Sequence, residues 1–190
     1  MKATHTPKSR LKREDWIDKG IELLTRAGIG AVSIEKLATT LGVTRGSFYY
    51  HFSDREDLLQ AMLEHWAKHW TFEVRDQIAS LGLDPGTTLL ALLRAIRANR
   101  AADHDAPFRA WALYDPKARA VIHQVDETRL GFIRSQFEGL GFTGLDAENR
   151  AQLFLYYEVA APAIFAEMTP EQEEQLLLER YRFLTTTHVE

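Results

Sequence analysis

Cysteine is absent from the 190 residues, which rules out a disulfide framework, a thiolate metal site and a thiol nucleophile. No run of about 18 apolar residues occurs, and Met1 to Lys12 is polar and basic without an apolar h-region. No secretion signal or membrane span is expected, and a cytoplasmic location follows as the expectation. The chain also lacks a β-period, an internal repeat, a Gly-rich phosphate loop, a G-x-S-x-G elbow and an H-x-x-x-H or E-x-x-H pair. The seven His are scattered. These absences leave no catalytic constellation, no metal site and no cofactor to expect, and they argue against an enzyme.

What remains is enough for a packed protein, with 45% hydrophobic and 11% aromatic residues. The net charge of −4 looks wrong for a partner of nucleic acid. Its distribution answers the objection: Met1 to Arg55 carries ten Lys and Arg against six Asp and Glu, and the rest carries 13 against 21. A basic head and an acidic body orient a molecule on a polyanion. Drift of surface charge along any chain gives the same asymmetry, so charge alone decides nothing.

The informative stretch is Ser33 to Phe52, SIEKLATTLGVTRGSFYYHF. Ser33 is a candidate N-cap. Ile34, Leu37, Ala38 and Leu41 recur at helical spacing, and Gly42 supplies the left-handed residue that ends a helix. Thr44 is a second N-cap, opening a helix over Arg45 to His51. Phe48 and Phe52 face inward; Thr44, Arg45, Ser47, Tyr49, Tyr50 and His51 form a face of hydrogen-bonding groups. This is the pattern of a helix-turn-helix, whose second helix enters the DNA major groove. Arg45 suits a guanine edge or a phosphate; Thr44 and Ser47 suit a phosphate or a thymine methyl. Gly46 allows the helix backbone to lie close to DNA. The competing reading is an αα-hairpin of an ordinary bundle.

At these residues the chain resembles the TetR family of transcriptional regulators. The shared run is S-[IV]-x-x-[IL]-A-x-x-[LA]-G-V-[ST]-x-[GP]-x-[FL]-Y-x-[HY]-F, followed here by Ser53-Asp54-Arg55-Glu56-Asp57-Leu58-Leu59. The resemblance covers roughly Leu11 to Trp70. It implies that Arg55, where Lys is the family's commonest residue, points at a phosphate. The residues assigned to DNA are Ser33, Thr44, Arg45, Gly46, Ser47, Tyr49, Tyr50, His51 and Arg55. Beyond Trp70 the resemblance is one of architecture alone.

Periodicity predicts an all-α fold: a three-helix head over 11–55, after a basic arm at 1–10, then about six helices over 56–190 for ligand binding and dimerisation. In the arm, Lys8 and Arg10, with Lys12 and Arg13 after it, suit phosphate contacts; Lys2 reads as solvated tail. The first helix, Glu14 to Ala27, buries Ile17, Ile21, Leu24 and Ala27, with Trp16 in the core or at its rim. Ser53 to Glu56 matches an S-x-x-E capping box opening one long helix, about 54–80, as a mechanical link. Asp84-Pro85 starts the next, to about Asn99, with Arg94, Arg97 and Arg100 on a solvated face. Asp103-His104-Asp105 reads as a loop before a short helix at Pro107 to Asp115. Asp115-Pro116, Asp146 and Thr169-Pro170 open the last three helices, with a kink at Pro162.

The aromatic residues suggest an apolar pocket walled by Trp66, Trp70, Phe108, Trp111, Tyr114, Tyr156 and Tyr157, with His104, Arg109 and His123 to orient a polar group. Aromatics at helical spacing equally make core. The implied compound is hydrophobic or aromatic, neutral or weakly anionic. A wide apolar face on the last two helices assigns Leu153, Tyr157, Ile164, Leu177, Tyr181 and Leu184 to a homodimer interface. The sequence thus points to a ligand-released repressor bound as a homodimer to a palindromic double-stranded DNA operator, with no membrane partner. A DNA-bound scaffolding protein of the same fold, without an inducer, is the alternative.

Overall fold

The computed structural model describes residues 11–164 and 168–187, the last four before 165 by backbone only. The basic arm and the side chains of Pro162 and Ile164 therefore lie outside the described residues, while the backbone is helical through position 162. Every regular element among those described is helical. The chain divides into two compact units, Met1–His65 and Trp66–Glu190.

The first unit contains α1 (Arg13–Ala27), α2 (Ile34–Leu41), α3 (Arg45–Phe48) and most of α4 (Arg55–Ala67). Its centre is Trp16, fully buried and edge-on to Phe48 at 5.3 Å, with Phe52 stacked on Phe48 at 5.3 Å. Trp16 is thus core, as are Ile17 and Leu24, whereas Ala27 is exposed and Leu23 takes its inward place. Gly20 lets α4 approach α1, since a Cβ there would meet Met62 Sδ at 2.7 Å. Ser33 caps α2 by accepting from the Lys36 N–H at 3.3 Å, and Gly42 ends it at φ 69°.

Two local expectations change here. Thr44 occupies the N-cap of α3 but its side chain makes no capping bond, and α3 closes at Phe48 with Tyr49 to His51 in a turn. The start of α4 is capped one residue later than expected. Asp54 Oδ1 accepts from the Asp57 N–H at 2.9 Å, and the Asp57 carboxylate accepts in turn from the Ser53 N–H at 3.0 Å. A carboxylate cap suits a helix dipole better than a hydroxyl.

The second unit holds the end of α4, a π turn at Lys68–Phe72, α5 (Glu73–Ser80), α6 (Pro85–Ala98), α7 (Ala101–Ala112), α8 (Pro116–Gly139), α9 (Gly144–Ile164) and α10 (Pro170–Thr185). The predicted long helix is helical throughout from Arg55 to Ser80, with a change of hydrogen-bond register at the π turn. Asp84, Asp115 and Thr169 cap α6, α8 and α10, each followed by Pro, as expected. The helix α8 packs against α6, α7 and α9, and α10 packs on α6. Gly139 permits one of these approaches, because a Cβ there would lie 2.6 Å from Pro85 Cγ. Arg94 and Arg97 reach Glu174 at 3.1 and 2.8 Å, so that arginine face is paired with acids.

Residues 102–106 are not a loop. Arg100 adopts φ 48°, which turns the chain at once from α6 into α7, and Pro107 lies inside that helix. A proline there sacrifices a backbone bond, a cost of about 3 kcal/mol. The helix persists because it carries Asp105 inward to a buried ionic cluster.

Leu177 and Leu184 are not interface residues: they are 7% and 3% exposed, in one core with Leu89, Phe137 and Phe154. Tyr181 also packs on that core, its hydroxyl 3.0 Å from where a Gly86 Cβ would stand. The wide apolar face of α10 serves its own protomer. Leu177→Ala should accordingly cost about 2–5 kcal/mol of protomer stability in urea unfolding, through transfer and cavity terms. A loss below about 0.5 kcal/mol would return Leu177 to the surface.

Candidate functional site

The outward side of the helix-turn-helix is polar and open. Arg45 is 59% exposed and pairs with Glu35 at 3.1 Å. Tyr49 and Tyr50 are 52% and 66% exposed, held edge-on to Phe48 and His51 at 5.4 and 5.1 Å. Thr44 and Gly46 are exposed, and Ser47 and His51 half-buried beside them. At Gly46 a Cβ would meet only Thr44 Oγ1, at an ordinary 3.7 Å. Nothing inside the fold requires that glycine.

Arg55, expected at a phosphate, is bonded within the fold. Its Nε donates to the Val32 carbonyl at 2.7 Å and its Nη2 to the Ile29 carbonyl at 3.1 Å. It binds the 3-10 turn Ile29–Ala31 to the start of α4. A carbonyl oxygen has two lone pairs, so the Ile29 carbonyl, which already accepts the Val32 N–H at 3.2 Å, can take the guanidinium as a second donor; these bonds are internal.

In the second unit the expected aromatic pocket is not assembled. Trp66 and Phe108 are buried and stacked at 5.0 Å, and Trp111, also buried, donates to Asp115 at 3.0 Å. These three are core. Tyr114 is 88% exposed beyond the end of α7, and Tyr156 and Tyr157 face outward on α9. Arg109 is held by Asp126 at 2.8 and 2.7 Å, and His123 is exposed beside Glu127 at 3.5 Å. His104 stacks on Trp70 at 3.9 Å. Among the expected residues only Trp70 lines the cavity found between α5, α6, α7, α8 and α9.

That cavity, about 60 Å³, is bounded by Trp70 and Thr71 of the π turn, Val74 and Arg75 of α5, Leu92 and Ile96 of α6, Ala101, Ala102 and Asp105 of α7, Thr128, Arg129, Phe132 and Ile133 of α8, and Leu155, Glu158 and Val159 of α9. Its wall is mostly apolar, the usual character of a small-molecule site. At one side Arg129 Nη2 donates to Asp105 Oδ1 at 3.1 Å and to the Trp70 carbonyl at 3.2 Å, while Nε donates to Thr71 Oγ1 at 3.0 Å. Arg109 Nη2 also reaches Asp105, at 3.2 Å. Burial by itself would lower the Arg109 guanidinium pKa; the bonds and charges of Asp126 and Asp105 outweigh it and raise the pKa above the usual value.

Glu158 stands apart. Burial pushes its carboxyl up to about 7, and the charge of Arg180 opposes this only in part. No periodicity argument finds such a residue, but a cruder signal was present: Glu158 is the lone acid in the apolar run from Leu153 to Phe165. Arg129 and Asp105 carry no comparable local signal.

The raised carboxyl has a consequence for stability. Between about pH 4.5 and 7 the folded protein holds a proton that the unfolded chain has lost, so stability falls as pH rises through that window. Glu158→Gln should match the wild type near pH 5 and exceed it by on the order of 1–2 kcal/mol near pH 8, after allowance for partial solvent screening. Equal denaturant midpoints at both pH values would show that Glu158 is not desolvated.

Comparison with known proteins agrees with this geometry. Residues 17–62 match the model of bacterial regulatory proteins of the tetR family. The chain is 26% identical over 136 residues to the HTH-type transcriptional repressor KstR2 of Rhodococcus jostii, covering 72% of this chain and 64% of that protein. It is 36% identical over 67 residues to the class D tetracycline repressor protein of Escherichia coli, covering 35% of this chain and 31% of that one. The match thus spans less than two thirds of either relative. A TetR-like transcriptional regulator from Rhodococcus superposes with a TM-score of 0.70 at 14% identity, covering 96% of this chain and all of that one. Escherichia coli NemR in its reduced form superposes with a TM-score of 0.67 at 16% identity, covering 91% and 93%. Such low identity carries the fold alone. Residues 17–62 carry the helix-turn-helix of bacterial regulatory proteins of the tetR family, and beyond them the likeness to these solved structures is one of fold.

Proposed function

We propose that this chain is a transcriptional repressor that binds a palindromic operator as a homodimer and is released by a small hydrophobic molecule in the cavity of the second unit. The observation that carries the reading is the polarity of α3. Phe48 is fully buried against Trp16, and that anchoring leaves Arg45, Gly46, Tyr49 and Tyr50 exposed on one surface. A single helix-turn-helix reads few base pairs, so two copies on a two-fold site give useful specificity. The ligand acts by favouring a conformation of the dimer whose two heads no longer match the half-site spacing. The covalent route for that coupling is α4, in which the division between the units falls.

Gly46→Ala separates DNA contact from folding. It should leave the protein as stable as the wild type or up to about 1 kcal/mol more stable, because the backbone loses freedom when unfolded. It should nevertheless weaken operator binding. Arg45→Ala, Tyr49→Ala and Tyr50→Ala should abolish binding with little change in melting temperature. With about six to eight phosphate contacts per dimer, log K should fall against log salt with a slope of about −5 to −7. A slope near zero would refute the DNA reading.

The dimer contact is proposed for the outward side of α9, where Leu153 and Tyr157 are 43% and 38% exposed. Arg180 of α10 lies over the Tyr157 ring at 4.5 Å, which continues that surface onto α10. A Leu153→Glu, Tyr157→Glu double variant should sediment as a helical monomer and lose operator affinity. A wild type that is monomeric at micromolar concentration would contradict the assembly.

A further inference from the structure

Around the cavity the charges are matched, with one exception. Arg129 and Arg109 face Asp105 and Asp126, two cations to two anions, with every carboxylate bonded. Arg75 is taken up by Asp76, at 2.8 Å from Nε and 2.6 Å from Nη2. No guanidinium at the wall is in surplus to receive an anion. Glu158 is the exception: among the described residues its carboxyl makes no hydrogen bond, and it borders the cavity beside Leu155 and Val159. The charged or titratable groups around the cavity are Arg75 of α5, Asp105 and the Trp70-stacked His104 of α7, and Arg129 of α8, with Arg180 of α10 acting on Glu158 itself. Four of these are already held by Asp76, by the Trp70 ring or by one another, and Arg180 offsets the burial of Glu158 only in part.

We propose that the cavity takes a small hydrophobic organic cation, whose ammonium group meets the Glu158 carboxylate and whose hydrocarbon part lies against Trp70, Val74, Ile96 and Phe132. This names the class of effector for the ligand site proposed above and rests on that reading. It reverses the neutral or weakly anionic compound expected from sequence. A desolvated carboxylate offset only in part by Arg180 is the costliest group at this wall, and a cation is the ligand that removes the remaining cost. An anion would add a second negative charge beside it; a neutral alcohol would leave the carboxylate half-satisfied. Binding of the cation favours the ionised form of Glu158, so it releases a proton near neutral pH.

The small volume suggests the probes: benzylammonium, benzyl alcohol and benzoate, nearly equal in size and differing in charge. The readout is the Trp70 indole N–H in 1H–15N spectra, assigned with Trp70→Phe. At about pH 8, benzylammonium should shift that signal and bind the full chain at least about 10-fold more tightly than the other two. In Glu158→Gln the preference should shrink to within about 2-fold. Lowering the wild type to about pH 5.5 should do the same, since Glu158 becomes protonated while benzylammonium stays charged. If benzyl alcohol or benzoate binds as tightly as the amine, the cation assignment is wrong while the cavity remains a ligand site. If none of the three moves Trp70, the ligand site itself is misplaced and this assignment falls with it. A preference for the amine that survives Glu158→Gln puts the cation elsewhere and also overturns the proposal.

Discussion

Asp105 is a carboxylate with 4% side-chain exposure, and the arrangement of the second unit follows from how that charge is answered. An uncompensated ion at that depth costs several kcal/mol, so it must be paired and its remaining lone pairs bonded. Arg129 and Arg109 do both. Arg129 then has donors left over, and they go to the Trp70 carbonyl and the Thr71 hydroxyl. Those two acceptors lie in the π turn, where the i to i−4 bonding register is lost and a partner from another helix is useful. One buried acid thereby ties α7 to α8, α8 to the π turn, and keeps α7 helical through Pro107. The cavity is the space left beside this cluster.

The first unit is organised by a different constraint, the pinning of a very short helix. α3 has four residues, too few to persist by its own hydrogen bonds. Its conformation depends on Phe48, clamped between Trp16 and Phe52. Because one side chain fixes the helix from the inside, its outer residues are unconstrained by packing and remain for recognition. Arg55 belongs to the same scaffold. A cation near the expected operator side need not be a phosphate ligand when two carbonyls of a 3-10 turn lie within its reach.

How much of this was legible in the sequence divides along the range of the interactions. Caps and turns are local: Ser33, Gly42, Asp84, Asp115 and Thr169 act on neighbours within four residues, and each did what its position implied. The helix-turn-helix is also local. The cap of α4 went to Asp54 rather than Ser53 because two acids compete there, and only geometry decides between them. The ionic cluster joins residues 24 and 58 positions apart, and no periodicity reports on that. The same blindness placed Trp66, Phe108 and Trp111 in a pocket wall: spacing says that a residue faces inward, never whether it faces a neighbour or a void. It also gave Leu177 and Leu184 to a dimer, because an apolar stripe does not state which chain covers it.

The size of the cavity constrains how it can act. About 60 Å³ holds a few waters, far short of the ~300 Å³ and more of ordinary ligand sites. A molecule that fitted this space unchanged would bind the resting conformation at least as well as any released one. Equal affinity for two states shifts nothing, however tight the binding, whereas moving a population from 1:99 to 99:1 takes a difference of about 10⁴ in affinity. An effector that releases DNA must therefore be larger than the resting cavity and must part its walls. The wall least tied to a regular hydrogen-bond register is the π turn, and the bonds that hold it converge on Arg129. Displacing Trp70 and Thr71 breaks contacts to a charge that remains neutralised by Asp105, so the turn can change register without exposing an unpaired ion. The cluster that fixes this arrangement would thus also make an opening of the wall energetically accessible.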